Sequence, residues 1–380
     1  MYLMDFRGFS LLRVRGIQII IDYSWFIIFF LVMYTMAEGY FPRTQRDFST
    51  GQYWVMGFVT AVLLFASVLA HEMAHSLVAI RQGIEVKSIR LFIFGGVAQI
   101  ASEPKSGRHE FLIALAGPAT SMALAVMFGT VYFMVVLAGG SGAVASVLAY
   151  LAFANVILAI FNMIPGFPLD GGRILRAILW DRWNSLGRAT KIVSRTGNAL
   201  ALFLIVLGVL QFFFSQNIIS GLWFIFIGLF MKQAAYGSYQ AVLIRESLSG
   251  TPIRQIMTEN VVAVDWLLSV DELVRDYIYR HQFTHFPVFD REEIVGMVSL
   301  QQVKELSREL WAFKQVRDIM TPIEEVPQLR PADDATDALH RMVSEDLGRM
   351  PVLEDGRLVG IVSRRDIMTL FKIKSDLGAP

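Results

Sequence analysis

Long apolar runs and one abrupt change of pattern divide this chain. Stretches at about residues 17–36, 53–79, 110–137, 143–163, 197–214 and 218–235 are each apolar enough to cross a bilayer. A spanning helix needs about 20 such residues. Past about residue 240 the apolar runs shorten, alternate with polar positions and separate charged stretches. The pattern therefore predicts a polytopic α-helical membrane protein of about six transmembrane helices over residues 1–235. A linker at 236–250 and a soluble α/β module at 251–372 follow. Residues 91–101, LFIFGGVAQIA, are apolar but too short to span. They alternate loosely and read as a strand or small re-entrant β element beside the membrane, or as a short amphipathic surface strand. Non-helical backbone at membrane depth must lie against protein or a water-filled cavity.

Composition agrees with the pattern. Of 380 residues, 54% are hydrophobic, above the usual 45–50% of a soluble domain. The chain has no cysteine, which excludes disulfides and thiolate metal sites. A net charge of +1 gives no ground for a nucleic-acid partner. Arg7, Arg13 and Arg15 precede the first run and no small-residue cleavage site follows it, so a cleavable signal is not expected.

Lysine and arginine gather on alternate loops. Arg81, Lys87, Arg90, Lys105 and Arg108 lie between the second and third runs, and Arg173 to Arg195 between the fourth and fifth. The loops at 138–142 and 215–217 carry no charge, and only Arg43 and Arg46 oppose the bias. The positive-inside rule then puts both termini, and the soluble module, in the cytoplasm of a cell-membrane protein. The Arg-rich stretch 173–195 reads as a surface segment meeting lipid headgroups.

The second run holds His71, Glu72 and His75. Ionisable groups inside a membrane helix are costly and mark function by default. Two histidines four apart leave one face of a helix and can grip one metal ion. Glu72 beside them is placed to activate a water. The spacing is H-E-x-x-H, a zinc metalloprotease signature. The alternative is a buried helix whose polar groups bond to neighbouring helices. With this topology the metal would lie roughly 12 Å below the cytoplasmic surface, at 1.5 Å per residue.

A second motif follows the fourth run: Asn162-Met-Ile-Pro165-Gly-Phe-Pro168-Leu-Asp170-Gly171-Gly172. Its prolines forbid continuous helix, so the segment is expected to be extended. Asp170 can supply a third ligand, and two histidines with one carboxylate leave an open fourth position. Alternatively Asp170 caps the helix that follows. Gly117-Pro118 is either an ordinary kink in the third run or a shaper of the site.

In this order, His71-Glu-Met-Ala-His75, FGG at 94–96, AGP at 116–118 and Asn162-x-x-Pro165 followed by Asp170-Gly-Gly resemble the site-2 protease family of intramembrane zinc metalloproteases. Phe167 departs from the proline-richer segment of many members. The resemblance implies one zinc on His71, His75 and Asp170, Glu72 as general base and acid, and Asn162 binding substrate backbone or oxyanion. It implies cleavage of a membrane-spanning segment of single-span regulatory proteins, such as anti-sigma factors. No PDZ-like insertion is visible, which matches the subgroup with cytoplasmic CBS domains.

The soluble module repeats itself. Arg254-Gln-Ile-Met-Thr258 recurs as Arg317-Asp-Ile-Met-Thr321, and Phe286-Pro-Val-Phe-Asp290 as Met350-Pro-Val-Leu-Glu354. Repeats at about 251–308 and 314–372 resemble a tandem CBS pair. The resemblance implies that Ser363 and Asp366 hold the ribose of ATP, ADP or AMP. Ser299 and Gln302 stand at the matching places of the first repeat, where the carboxylate is lost. The alternative is a module that only mediates homodimer contacts. His281 and His285 read as core or surface residues. Two rival functions remain at this point: a CBS-gated transporter or channel, and a non-proteolytic zinc-binding scaffold.

Overall fold

The protein is described from a computed structural model, over residues 8–100, 103–140, 142–214 and 218–377. Expectations resting on Arg7, Ala101, residue 141 and the 215–217 loop lie outside the described residues. The chain folds as two compact units, Met1–Val242 and Leu243–Pro380.

The first unit opens with a hairpin rather than a span. Strands β1 (Gly8–Val14) and β2 (Ile17–Asp22) pair antiparallel. Arg15 and Gly16 turn between them, both at positive φ, which matches the twist of a tight hairpin. β2 then pairs parallel with β3 (Val86–Phe92), and β3 antiparallel with β4 (Gly95–Ile100), giving the order β1-β2-β3-β4. The first apolar run was expected to be helical from residue 17, and that is corrected here. Ile17, Ile19 and Ile21 are buried at period two, and β-branched residues suit a strand. The helix starts only where the Asp22 carboxylate accepts from Ser24 N at 2.9 Å. The strand expected in the 91–101 stretch is present. It belongs to the β3–β4 hairpin of this larger sheet, with β4 at an edge.

The helices are α1 (Tyr23–Thr44), α2 (Thr50–Arg81), α3 (Gly107–Leu137), α4 (Ala143–Asn162), α5 (Asp170–Trp183), α6 (Leu186–Phe214) and α7 (Ile218–Leu248). Among the described residues five helices are long and apolar enough to cross a membrane: α1, α2, α3, α4 and α6. Phe30, Phe133, Phe203 and Phe213 on them are exposed, as lipid-facing side chains are. The sixth expected run forms the first part of α7. Helix α7 also runs through most of the expected linker at 236–250. That stretch has no proline, buries Val242 and Leu248, and stops at Gly250, whose φ is +75°. The residues between α4 and α5 are compact turns, not an extended strand. Gly166 N donates to Ile164 O at 2.9 Å and Leu169 N to Gly166 O at 3.0 Å.

The second unit shows why the two repeats occur together. Strands β5 (Val264–Asp265), β6 (His285–Asp290), β7 (Glu293–Ser299) and β8 (Thr321–Pro322) form one sheet in that order. β8 belongs by sequence to the second repeat. In return, Thr258 of the first repeat bridges Ile361 in β10 (Arg357–Ser363), which pairs with β9 (Arg349–Glu354). The cores are exchanged as well. Ile253 lies in the core built by the second repeat, and Val316 in the core built by the first. Each repeat therefore needs the other to bury its leading residues.

Candidate active site

Helix α2 presents the histidines as its period requires. His71 and His75 are both buried, with ring centroids 4.8 Å apart. The turns after α4 bring Asp170 to them. Its Oδ2 lies 3.0 Å from His71 Nε2 and 3.2 Å from His75 Nε2. One ligand atom from each residue lies within 4.8 Å of the others, and this is the group of metal-ligating side chains found among the described residues. Asp170 does not cap α5. The N-cap is Leu169, with no side-chain cap bond.

The outer ring nitrogens decide what the inner ones offer. His75 Nδ1 lies 2.6 Å from the carbonyl oxygen of Ile113, and His71 Nδ1 lies 2.8 Å from Ser121 Oγ. A carbonyl only accepts, so His75 Nδ1 carries a proton. In the neutral ring Nε2 then points a lone pair at the Asp170 carboxylate. With the His71 Nε2 lone pair turned the same way, the three groups converge on one spot where a metal ion would be held. Two imidazoles and a carboxylate with an open position are the donor set of a catalytic zinc site, and outer partners of this kind commonly orient zinc-binding histidines.

Two glycines make the space. A Cβ at Gly117 would stand 2.1 Å from His75 Nε2 and 2.5 Å from His71 Nε2, so α3 can back the imidazoles only with glycine there. Pro118 follows inside an unbroken α3; of the Gly-Pro pair, it is Gly117 that stands against the site. A Cβ at Gly96 in β4 would stand 2.4 Å from Glu72 Cγ. The edge strand thus passes directly beside Glu72.

With this geometry in hand, the comparisons with known proteins agree with one another. The pattern of Peptidase family M50 matches residues 59–141 and 138–204, and that of the CBS domain matches 253–309 and 316–372. Rip3 of Mycobacterium tuberculosis, named as a zinc metalloprotease, is 34% identical over 95% of this chain and 92% of its own length. The chain belongs to peptidase family M50. Zinc metalloprotease MJ0392 of Methanocaldococcus jannaschii is 31% identical over 97% of this chain and 98% of its own. The solved Site-2 Protease from Methanocaldococcus jannaschii is 30% identical, covering 61% of this chain and 95% of that one, with a TM-score of 0.42. The protein is thus a multi-pass, site-2-protease-like zinc metalloprotease carrying tandem CBS domains.

The other sequence-predicted residues of this M50 protease fall differently. Asn162 is the last residue of α4, half-buried, and makes no hydrogen bond to His71, His75 or Asp170. Ser363 and Asp366 bond to each other. Ser363 Oγ and N both donate to Asp366 Oδ2, at 2.6 and 2.8 Å, in a capping box at the start of the last helix. Ser299 and Gln302 form the equivalent box, and Gln302 Nε2 also donates to Thr321 Oγ1 at 2.7 Å. A cavity of about 370 Å³ lies beside Ser299, lined also by His285, Lys304 and Asp346. His285 is therefore neither plain core nor plain surface. Partial burial and the nearby Arg349 charge hold its pKa below the ordinary histidine value.

Sequence reasoning missed Ser121 and the Ile113 carbonyl. Nothing in their residue types distinguishes them from other membrane-helix positions. It also missed Glu110, which is fully buried and paired with Arg176. The reading of 173–195 as a headgroup-facing segment is corrected for Arg176, which points inward. A charged pair on two segments gave the signal, but only the fold brings them together.

Proposed function

We propose that the protein is an intramembrane endopeptidase that cuts a membrane-spanning segment of single-span regulatory proteins near the cytoplasmic face. The observation that carries this reading is the convergence of His71, His75 and Asp170 beside Glu72 on an apolar helix. These three residues would hold one zinc. When bound, zinc supplies a Lewis acid that polarises a carbonyl and makes water acidic near pH 7. Glu72 takes the proton of the attacking water and returns it to the leaving amine, since a carboxylate in reach of both can serve as base and then acid.

A helical substrate hides its peptide bonds and must unwind locally. The outer edge of β4 has no strand partner among the described residues, and an unpaired edge receives an extended segment by β-addition. An added segment would run past Gly96 and hence past Glu72. Asn162 would bind the substrate backbone or the developing oxyanion. The metal donors gather at one place rather than along a path through several helices, which favours proteolysis over ion transport.

The Lys/Arg bias supports cytoplasmic termini and a cytoplasmic CBS module. The module would bind ATP, ADP or AMP through Ser363 and Asp366, modulate cleavage, and support a homodimer. The experiment is co-expression with candidate single-span proteins, comparing the unmodified chain with Glu72→Gln. Cleavage that survives the substitution would refute the assignment. Topology is read by single cysteines in this cysteine-free chain; cytoplasmic labelling at position 140 would overturn the orientation.

A further inference from the structure

Glu110 is a fully buried carboxylate that the proposed chemistry does not use. It lies in the first turn of α3. Arg176 of α5 donates to its Oε1 through Nε at 2.8 Å and again through Nη2. Arg173 Nε lies 3.9 Å from the same oxygen. The Arg176 guanidinium also stands 5.2 Å from the ring centroid of Phe167. Burying two charges is expensive, and an apolar pair of similar volume often serves stability as well. Stability alone therefore does not account for the pair.

Its placement does. Asp170 opens α5, and Arg176 follows within about two turns. Phe167 belongs to the turns that deliver Asp170. On the other side, Glu110 precedes Ile113 by one turn, and Ile113 holds the His75 ring. Gly117, farther along α3, backs both imidazoles. The ion pair joins the element that carries the carboxylate to the element against which the histidines stand.

We infer that Glu110 and Arg176 are positioning residues whose ion pair fixes Asp170 against His71 and His75, and so sets the affinity for zinc. The inference rests on the ligand reading above. Two N–H groups of the planar Arg176 guanidinium meet the one oxygen Glu110 Oε1, a paired contact in fixed geometry that an ammonium does not reproduce.

The test uses the full chain purified in detergent. Zinc affinity is read by competition with a chromophoric chelator, and unfolding is followed on metal-free samples, because bound zinc itself raises the unfolding temperature. The deciding variant is Glu110→Leu with Arg176→Met. It is expected to unfold at the temperature of the unmodified protein and to bind zinc about 10–100-fold more weakly, the loss typical when a group supporting a metal ligand is removed. Unchanged zinc affinity in the folded double variant overturns the inference. Should that variant fail to fold, Arg176→Lys decides, since it keeps the charge and loses the fork. Several-fold weaker zinc binding at an unchanged unfolding temperature supports the role, and unchanged binding overturns it. Asp170→Ala separates the two readings: tight zinc binding by that variant would refute the ligand assignment itself, whatever the pair does.

Discussion

Asp170 and Asp366 stand in the same kind of place and do opposite things. Each lies in the first turn of a helix, where a carboxylate is favoured by the helix dipole and can cap free N–H groups. Asp366 behaves as that rule says: it closes a capping box with Ser363. Asp170 leaves its helix without a side-chain cap and turns to two histidines instead. A carboxylate that forgoes its local partner for a distant one is held by tertiary structure. That is the mark of a site built for something other than the helix. The same short pattern is thus weak evidence in the soluble module and strong evidence in the membrane unit.

The largest effect expected on the membrane side is that of Glu72→Gln. General acid–base groups contribute typically about 10²–10⁴-fold, so cleavage should fall at least that far while zinc content stays at about one equivalent. Zinc lost together with activity would mean that Glu72 is part of the metal site, and the division of roles would fail.

The comparison itself is tested by Asp170→Ala and Asp366→Ala made in parallel. Removing Asp170 should abolish zinc binding and cleavage, yet cost α5 no cap. Removing Asp366 should leave zinc untouched and destabilise the soluble module by about 1 kcal/mol, on the order of a net hydrogen bond, because the bonds it accepts from Ser363 are lost while Ser363 still caps the helix. Chelator competition and thermal unfolding of the metal-free proteins read both. If the Asp170 variant loses stability by the larger amount without zinc present, its carboxylate has a structural task that the contrast denies.

Nucleotide binding sharpens the contrast further. Ser363 and Asp366 satisfy each other at 2.6 Å, so a ribose must displace or share that bond. Calorimetric titration of the full chain with ATP, ADP and AMP, repeated on Asp366→Ala, is expected to show weaker binding in the variant. Any effect on cleavage can be no larger than the differential affinity of nucleotide for the two states. A coupling of roughly 1–3 kcal/mol would shift activity about 5–150-fold. Undiminished binding by the variant would move attention to the cavity beside Ser299 and Lys304.

Much of the site was legible because its chemistry is written in spacing. His71 and His75 needed only a helix to face one way. Asp170 needed the prolines that bend the chain back. The residues that support them were not legible, because Ile113 contributes a backbone carbonyl and Ser121 an ordinary hydroxyl. Gly117 showed itself as a break and became a contact. In the fold, Ile17–Ile21 misled because a strand buried on alternate positions and a short membrane segment look alike when nearly every residue is isoleucine. The exchange of Ile253 and Val316 between repeats was hidden for a different reason: sequence repeats mark what is copied, not which copy it packs against.

The smallest expected effect lies in the soluble module and concerns His285. Its pKa is lowered by burial and by Arg349, so the folded state resists a proton that the unfolded chain accepts near pH 6.5. Between the lowered value and about 6.5 the unfolded state binds more protons, and stability rises with pH. The contribution is fully present above about pH 6.5 and is lost as the medium becomes more acidic. Thermal unfolding of the full chain, followed from pH 7.5 to pH 5.5, should show the module weakening toward the acid end. His285→Gln keeps a polar side chain and removes the titration, so its unfolding temperature should fall less over the same range. Parallel pH profiles for the two proteins would mean that His285 is as free to take a proton in the cavity as in the unfolded chain.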